Sequence, residues 1–159
     1  MGILGAVLLC AVVQATPPPK PQPPPVERVK VFLGQQPRKD GFVTTNKNFQ
    51  DSYRDMAEAY REDGTLQAVL KLVDDPTEAD LILEITSRKH NPWANSLTAT
   101  LSVVGSDYKS DLDGKVGVRS FTYKNLAKSL LRQTAEWVKA NRVSLDKVRA
   151  ARAAKSPQN

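Results

Sequence analysis

Residues 17–25 read Pro-Pro-Pro-Lys-Pro-Gln-Pro-Pro-Pro. Proline lacks a backbone N–H and has a fixed φ, so neither a helix interior nor a central strand can hold such a run. The expected conformation is polyproline II, rising about 3.1 Å per residue and spanning roughly 28 Å. The block therefore divides the chain into a leading segment and one folded body. Two roles fit it: a stiff spacer that keeps the body off a membrane or polymer surface, or a ligand for a proline-recognising domain.

The leading segment is an uncharged apolar run over residues 3–13. It falls well short of the roughly 20 residues a membrane-crossing helix needs. It suits the apolar centre of a secretory signal over residues 1–15, with Val13-Gln14-Ala15 as the cleavage site and residues 16–28 as a proline-rich linker. Met1-Gly2 lacks the positive charge such signals carry at the front. A lipidated or uncleaved anchor competes, but Cys10 follows Val7-Leu8-Leu9 rather than small residues. A myristoylation motif would need Ser or Thr where Ala6 stands. The expected location is periplasmic or secreted, with a membrane-tethered form as the alternative. Cleavage would remove Cys10 and leave no thiol, which suits an oxidising compartment.

The 159 residues include one Cys and one His. That excludes an internal disulfide framework, a thiolate zinc cluster and a multi-histidine centre. No Gly-x-Ser-x-Gly elbow, phosphate loop or dinucleotide fingerprint occurs. His90 stands beside Arg88 and Lys89, not beside an acid that would orient it as a base. Asp111-Leu112-Asp113-Gly114 has part of a calcium loop, but an EF-hand wants an acid at Lys109 and a Glu at Ser120. Asp74, Asp75, Glu78 and Asp80 could gather round a divalent cation, yet capping and turn formation already use most of them. No catalytic residue, metal or cofactor is expected.

The net charge of +6 is uneven. Residues 31–137 hold 14 basic and 15 acidic groups, while residues 138–159 hold six basic groups against one acid. A near-neutral body argues against specific nucleic-acid recognition. The basic tail either touches a polyanion or is a solvated helix end.

In the body, Val29, Val31 and Leu33 alternate as a first strand. Residues 34–48 are a polar loop. Phe49, Tyr53, Met56, Ala57 and Tyr60 form one helical stripe, with Gly64 expected as its C-cap. Residues 66–73 contain a second strand, expected in the latter half. Asp75-Pro76-Thr77-Glu78 is a helix-start signature with room for only a turn. Leu81–Thr86 reads as a third strand and Arg88–Asn95 as a loop. Leu97, Ala99, Leu101 and Val103 mark a fourth strand with one dry and one wet face. Asp113-Gly114 signals a hairpin, with Val116 and Val118 on its return. Leu126, Leu130, Thr134 and Val138 step by four along a last helix that starts near Tyr123 or Asn125.

The order β-α-β-β-β-β-α predicts an α+β fold: an antiparallel or mixed sheet with two helices packed on one face. The domain is expected over residues 29–141, followed by a basic C-terminal tail over residues 142–159. Arg88, Lys89, His90 and Trp93 form the candidate binding patch, three cation-capable side chains and an indole at a strand end. Such a patch can grip an anionic partner by charge and stacking. The other reading is a solvated loop whose Trp93 folds back onto the core.

The run from Asp51-Ser52-Tyr53 through Val73–Ile85 resembles a pattern of secreted bacterial domains. There an amphipathic helix precedes a strand ending in Val-Asp, a short turn ending in Ala-Asp, and an aliphatic strand. It is similar to the TolB N-terminal domain and to the CsgG-like periplasmic α+β family. The resemblance spans residues 29–141 as topology and Val73–Ile85 as sequence. It implies an envelope-facing α+β domain and carries over no catalytic residue. It does not imply TolB or CsgG activity, because no lipobox or curli-type pore hairpin accompanies it. The leading expectation is a non-enzymatic secreted or periplasmic domain that binds or scaffolds an envelope protein, a glycan or an anionic surface. The alternatives are a small hydrolase using a carboxylate dyad and a polyanion binder acting through the tail.

Overall fold

The apolar positions of each strand line up in rows, and those rows define the sheet. A computed structural model of the chain describes residues 27–34, 47–90, 92–113 and 122–155. The expected signal, the proline linker, most of the 34–48 loop and the hairpin return at Val116 and Val118 lie outside them. The strands are β1 (Val29–Leu33), β2 (Leu70–Val73), β3 (Leu81–His90), β4 (Asn95–Val103) and β5 (Lys109–Asp113). They form one five-stranded sheet in the order β2-β1-β3-β4-β5. Strand β1 runs parallel to both β2 and β3, whereas β3, β4 and β5 are joined antiparallel. The sheet is mixed, and the fold is α+β as expected.

Register explains the core. Val29 lies opposite Leu70, and Val31 opposite Leu72 and Leu81. Leu81, Leu83 and Ile85 face Val103, Leu101 and Ala99. Paired residues share a face, so these side chains make one continuous apolar surface. Helix α1 (Lys47–Arg61) adds Met56 and Ala59 to it, and helix α3 (Tyr123–Ala140) adds Leu126, Leu130, Leu131 and Val138. Each fully buried leucine contributes roughly 1.5–3 kcal/mol. The opposite face carries Glu84, Thr98 and Thr100, which stay partly open to water. The wet and dry faces expected for β4 are both present.

Several boundaries differ from the sequence reading. Gly64 does not close α1; it opens a short helix, α2 (Gly64–Val69). The reason is Asp63, whose carboxylate accepts from Thr65 N at 3.1 Å and Thr65 Oγ1 at 2.6 Å, an N-cap that restarts the helix. Strand β2 occupies the latter half of residues 66–73, as expected. The Asp75 signature yields only a turn, as expected: a single 3-10 turn, Pro76–Glu78, with Asp75 accepting from Thr77 N at 2.8 Å. Strand β3 runs on to His90, so Arg88, Lys89 and His90 belong to a strand rather than to a loop.

The body also extends past residue 141. Residues 142–155 form helix α4 (Arg142–Lys155), and Leu145 is 2% exposed within the core. Arg149 reaches Asp80 at 2.6 Å and Arg152 reaches it at 3.1 Å. Asp80 also accepts the Lys30 N–H at 2.9 Å, so one carboxylate joins β1, the entry to β3 and α4.

Candidate binding site

The β3–β4 hairpin carries the sequence-predicted patch, and a bulge decides which way its side chains point. Between Ile85 and Ser87 the register slips by one residue. A slip of one reverses the facing of everything beyond it. Arg88 therefore pairs with Leu97 on the helix-covered face, not with the outward row of Glu84 and Thr86. Its guanidinium donates to Ser52 Oγ at 2.8 Å, approaches Asp55 at 3.5 Å, and stacks 3.7 Å from the centroid of the Tyr123 ring. Arg88 thus locks the base of the hairpin to α1 and α3.

Lys89 and His90 remain exposed. His90 Nδ1 and Asn95 Oδ1 lie 2.6 Å apart, a contact in which the ring nitrogen donates, and it closes the end of the ladder. Trp93, in the short connection, is 71% exposed. It does not fold back onto the core. The structure therefore separates the predicted patch into a packed arginine and a solvent-exposed trio of Lys89, His90 and Trp93.

Among the described residues two acids are buried elsewhere, Asp63 and Asp80, and both are held as carboxylates. Burial pushes the Asp80 carboxyl up, but the hydrogen bonds from Arg149 and Lys30 N–H and the charges of Arg149 and Arg152 outweigh it, leaving it below its ordinary value. Asp63 is held well below the usual carboxylate range by the Thr65 hydroxyl, then Lys128, with Arg132 and the Thr65 N–H adding to them against burial. A proton donor needs a raised pKa, so neither acid suits that role at neutral pH. Tyr53 is shifted the other way: burial raises its hydroxyl, while the Ile85 N–H donating to it at 3.1 Å partly offsets the rise.

The acidic cluster does not converge on a cation. Asp75 caps its turn and Asp80 faces two arginines. Among the described residues, no group of three potential metal ligands comes together. Part of the basic tail is engaged by the fold: Arg142 pairs with Asp146 at 3.2 Å, and Arg149 and Arg152 share the Asp80 carboxylate. Among the described residues, no helix is long and apolar enough to cross a membrane.

Two surface depressions lie among the described residues. One, of about 330 Å³, lies where β1 and β2 end against α1, between Phe32, Leu72, Asp74, Tyr53 and Arg54. The other, of about 230 Å³, lies between the turn after β4 and the corner joining α3 to α4. Its aromatic wall is Tyr108 and Trp137, with ring centroids 5.2 Å apart and Trp137 Nε1–H donating to the Tyr108 hydroxyl at 2.9 Å. The sequence reading missed this second depression. Tyr108 and Trp137 are 29 residues apart and meet only once β4, β5 and α3 are assembled.

No protein-family model matches the chain. No curated protein matches it at a significant level either.

Proposed function

We propose that this chain is a non-enzymatic binding domain of the periplasm or cell exterior, which docks a cell-envelope protein or glycan through the tip of its β3–β4 hairpin. The observation that carries this reading is Trp93, 71% exposed at the end of a two-stranded ribbon. A large indole left in water at a projecting tip has much apolar surface to bury on contact, and such residues dominate binding energy at interfaces. Lys89 and His90 beside it add polar contacts at the rim. Arg88 supports the role from behind, because its contacts with Ser52 and Tyr123 fix the ribbon's base and reduce the ordering cost of binding. The apolar run over residues 3–13 supports an exported domain.

The hydrolase and polyanion readings gain less support. Both buried acids are held ionised, and most tail cations already face acids of the same chain.

Affinity capture from envelope extracts tests the proposal, comparing the parent chain with Trp93→Ala. A partner retained by the parent and lost from a folded Trp93→Ala chain is the expected result. Equal capture by both would remove the hairpin tip from the proposal. Recovery of the chain from native cytosol with Met1 intact would remove the location.

A further inference from the structure

The groove at the α3–α4 corner and the start of the described body are both built against helix α4. Glu27 is the first described residue, and its carboxylate lies 3.6 Å from the Arg149 guanidinium on α4. Arg149 also donates to Arg28 O at 3.1 Å. The α4 wall of the groove is Ser144, Leu145 and Val148, the turn of helix that leads into Arg149. Only Val26 stands between Glu27 and Pro25, the end of the proline block. Nine residues of polyproline II would span roughly 28 Å, against the roughly 10 Å width of a helix such as α4, so the block has the length to reach the groove from Glu27.

The chemistry of the groove matches that segment. Its volume of about 230 Å³ is below the roughly 300–1,000 Å³ of pockets that enclose a small-molecule ligand, so it suits a few side chains laid along it. Tyr108, 43% exposed, and Trp137 form a tilted aromatic pair that offers ring faces to a neighbour. Aromatic-lined grooves of this type take polyproline II segments, whose rings stack on the aromatics and whose conformation is already fixed before binding. Polyproline II also leaves its carbonyls without internal partners. The Tyr108 oxygen accepts from Trp137, which leaves its own hydroxyl hydrogen to donate to such a carbonyl.

We infer that the Tyr108–Trp137 groove is the seat of this chain's own proline-rich segment, residues 17–25. A covalently attached segment acts at an effective concentration of order millimolar, so even a weak aromatic–proline contact is filled. The segment is then more than a spacer: it is seated against α4, and whatever lies before it leaves the body from the α3–α4 corner. This inference stands apart from the hairpin-tip proposal, since it involves neither Trp93 nor a second molecule.

Paramagnetic broadening in the full chain tests it. Cys10→Ser with Gln22→Cys places a single nitroxide within the proline block, and Trp93→Phe identifies which indole N–H signal belongs to Trp137. Seating predicts that the Trp137 indole signal loses most of its intensity while the Trp93 signal keeps it. Replacing the prolines at 17–19 and 23–25 by serine should restore the Trp137 signal. Equal intensities for the two indoles would overturn the inference. So would broadening that survives the serine replacements, which would reflect the tether alone. Broadening that passes from a labelled chain to an isotope-enriched unlabelled one would assign the groove to a second copy and equally overturn it.

Discussion

The two ends of β3 use charge in opposite ways. At its entry, Asp80 is 4% exposed and gathers Arg149, Arg152 and the Lys30 N–H into one closed cluster. At its exit, only Arg88 turns inward, while Lys89, His90 and Trp93 face water. A buried carboxylate must be compensated completely, because one left without partners costs several kcal/mol. An exposed tip carries no such demand and remains available for contact with something else. The entry end is thus devoted to stability and the exit end to recognition.

Removing Asp80 should have the largest effect. Asp80→Ala leaves Arg149 facing a void, and breaking a partly buried ion cluster of this kind is expected to cost about 3 kcal/mol. Denaturant melts should show it as a lowered midpoint, together with loss of helical signal from α4. A change near zero would mean that α4 is held by its apolar contacts, Leu145 and Val148.

Acid probes the same cluster without mutation. The Asp80 carboxyl sits below its ordinary value of 3.8, so its stabilising contribution is complete above that value and is lost as pH falls through the lower folded value. Stability measured from pH 7 downward should therefore fall more steeply for the parent chain than for Asp80→Ala. Parallel curves would assign the acid sensitivity to Asp63 instead.

Arg88→Ala tests the inward group at the other end. It removes a charged hydrogen bond to Ser52 and the stack on Tyr123, and about 1–2 kcal/mol of stability should go with them. Hydrogen exchange at β3 amides beyond Ile85 should rise as the ribbon loosens. The smallest effect on folding is expected from Trp93→Ala, within about 0.5 kcal/mol as for exposed sites generally. A larger loss would show that the tip supports the fold and would erase the contrast between the two ends.

What the sequence revealed follows the same division between local and distant causes. The α1 and α3 stripes, the alternation of β4 and the Asp75 cap are written in neighbouring residues, and each appears where its spacing places it. The last four residues of β3 were hidden because Ser87, Arg88, Lys89 and His90 have no apolar alternation. They are strand only because Asn95–Thr98 pair with them. The bulge that turns Arg88 inward has no sequence signature. Asp80 looked like a turn residue because Arg149 stands 69 residues away. One local signal for α4 was available: Arg142 with Asp146, and Asp146 with Arg149, lie at helical spacings of four and three. The Lys89–Trp93 patch could be named from sequence, but which of its members face outward required the register.

The approach of Glu27 to Arg149 brings the start of the described body beside its last helix. Backbones whose ends meet can be re-ordered: a short bridge from α4 to the segment preceding β1, with new ends opened elsewhere on the surface, should rebuild the same sheet from a rearranged gene. Anything inserted directly before Glu27 or directly after α4 would ride at the Asp80 pole. The indole would then project from the far side, unobstructed by the cargo.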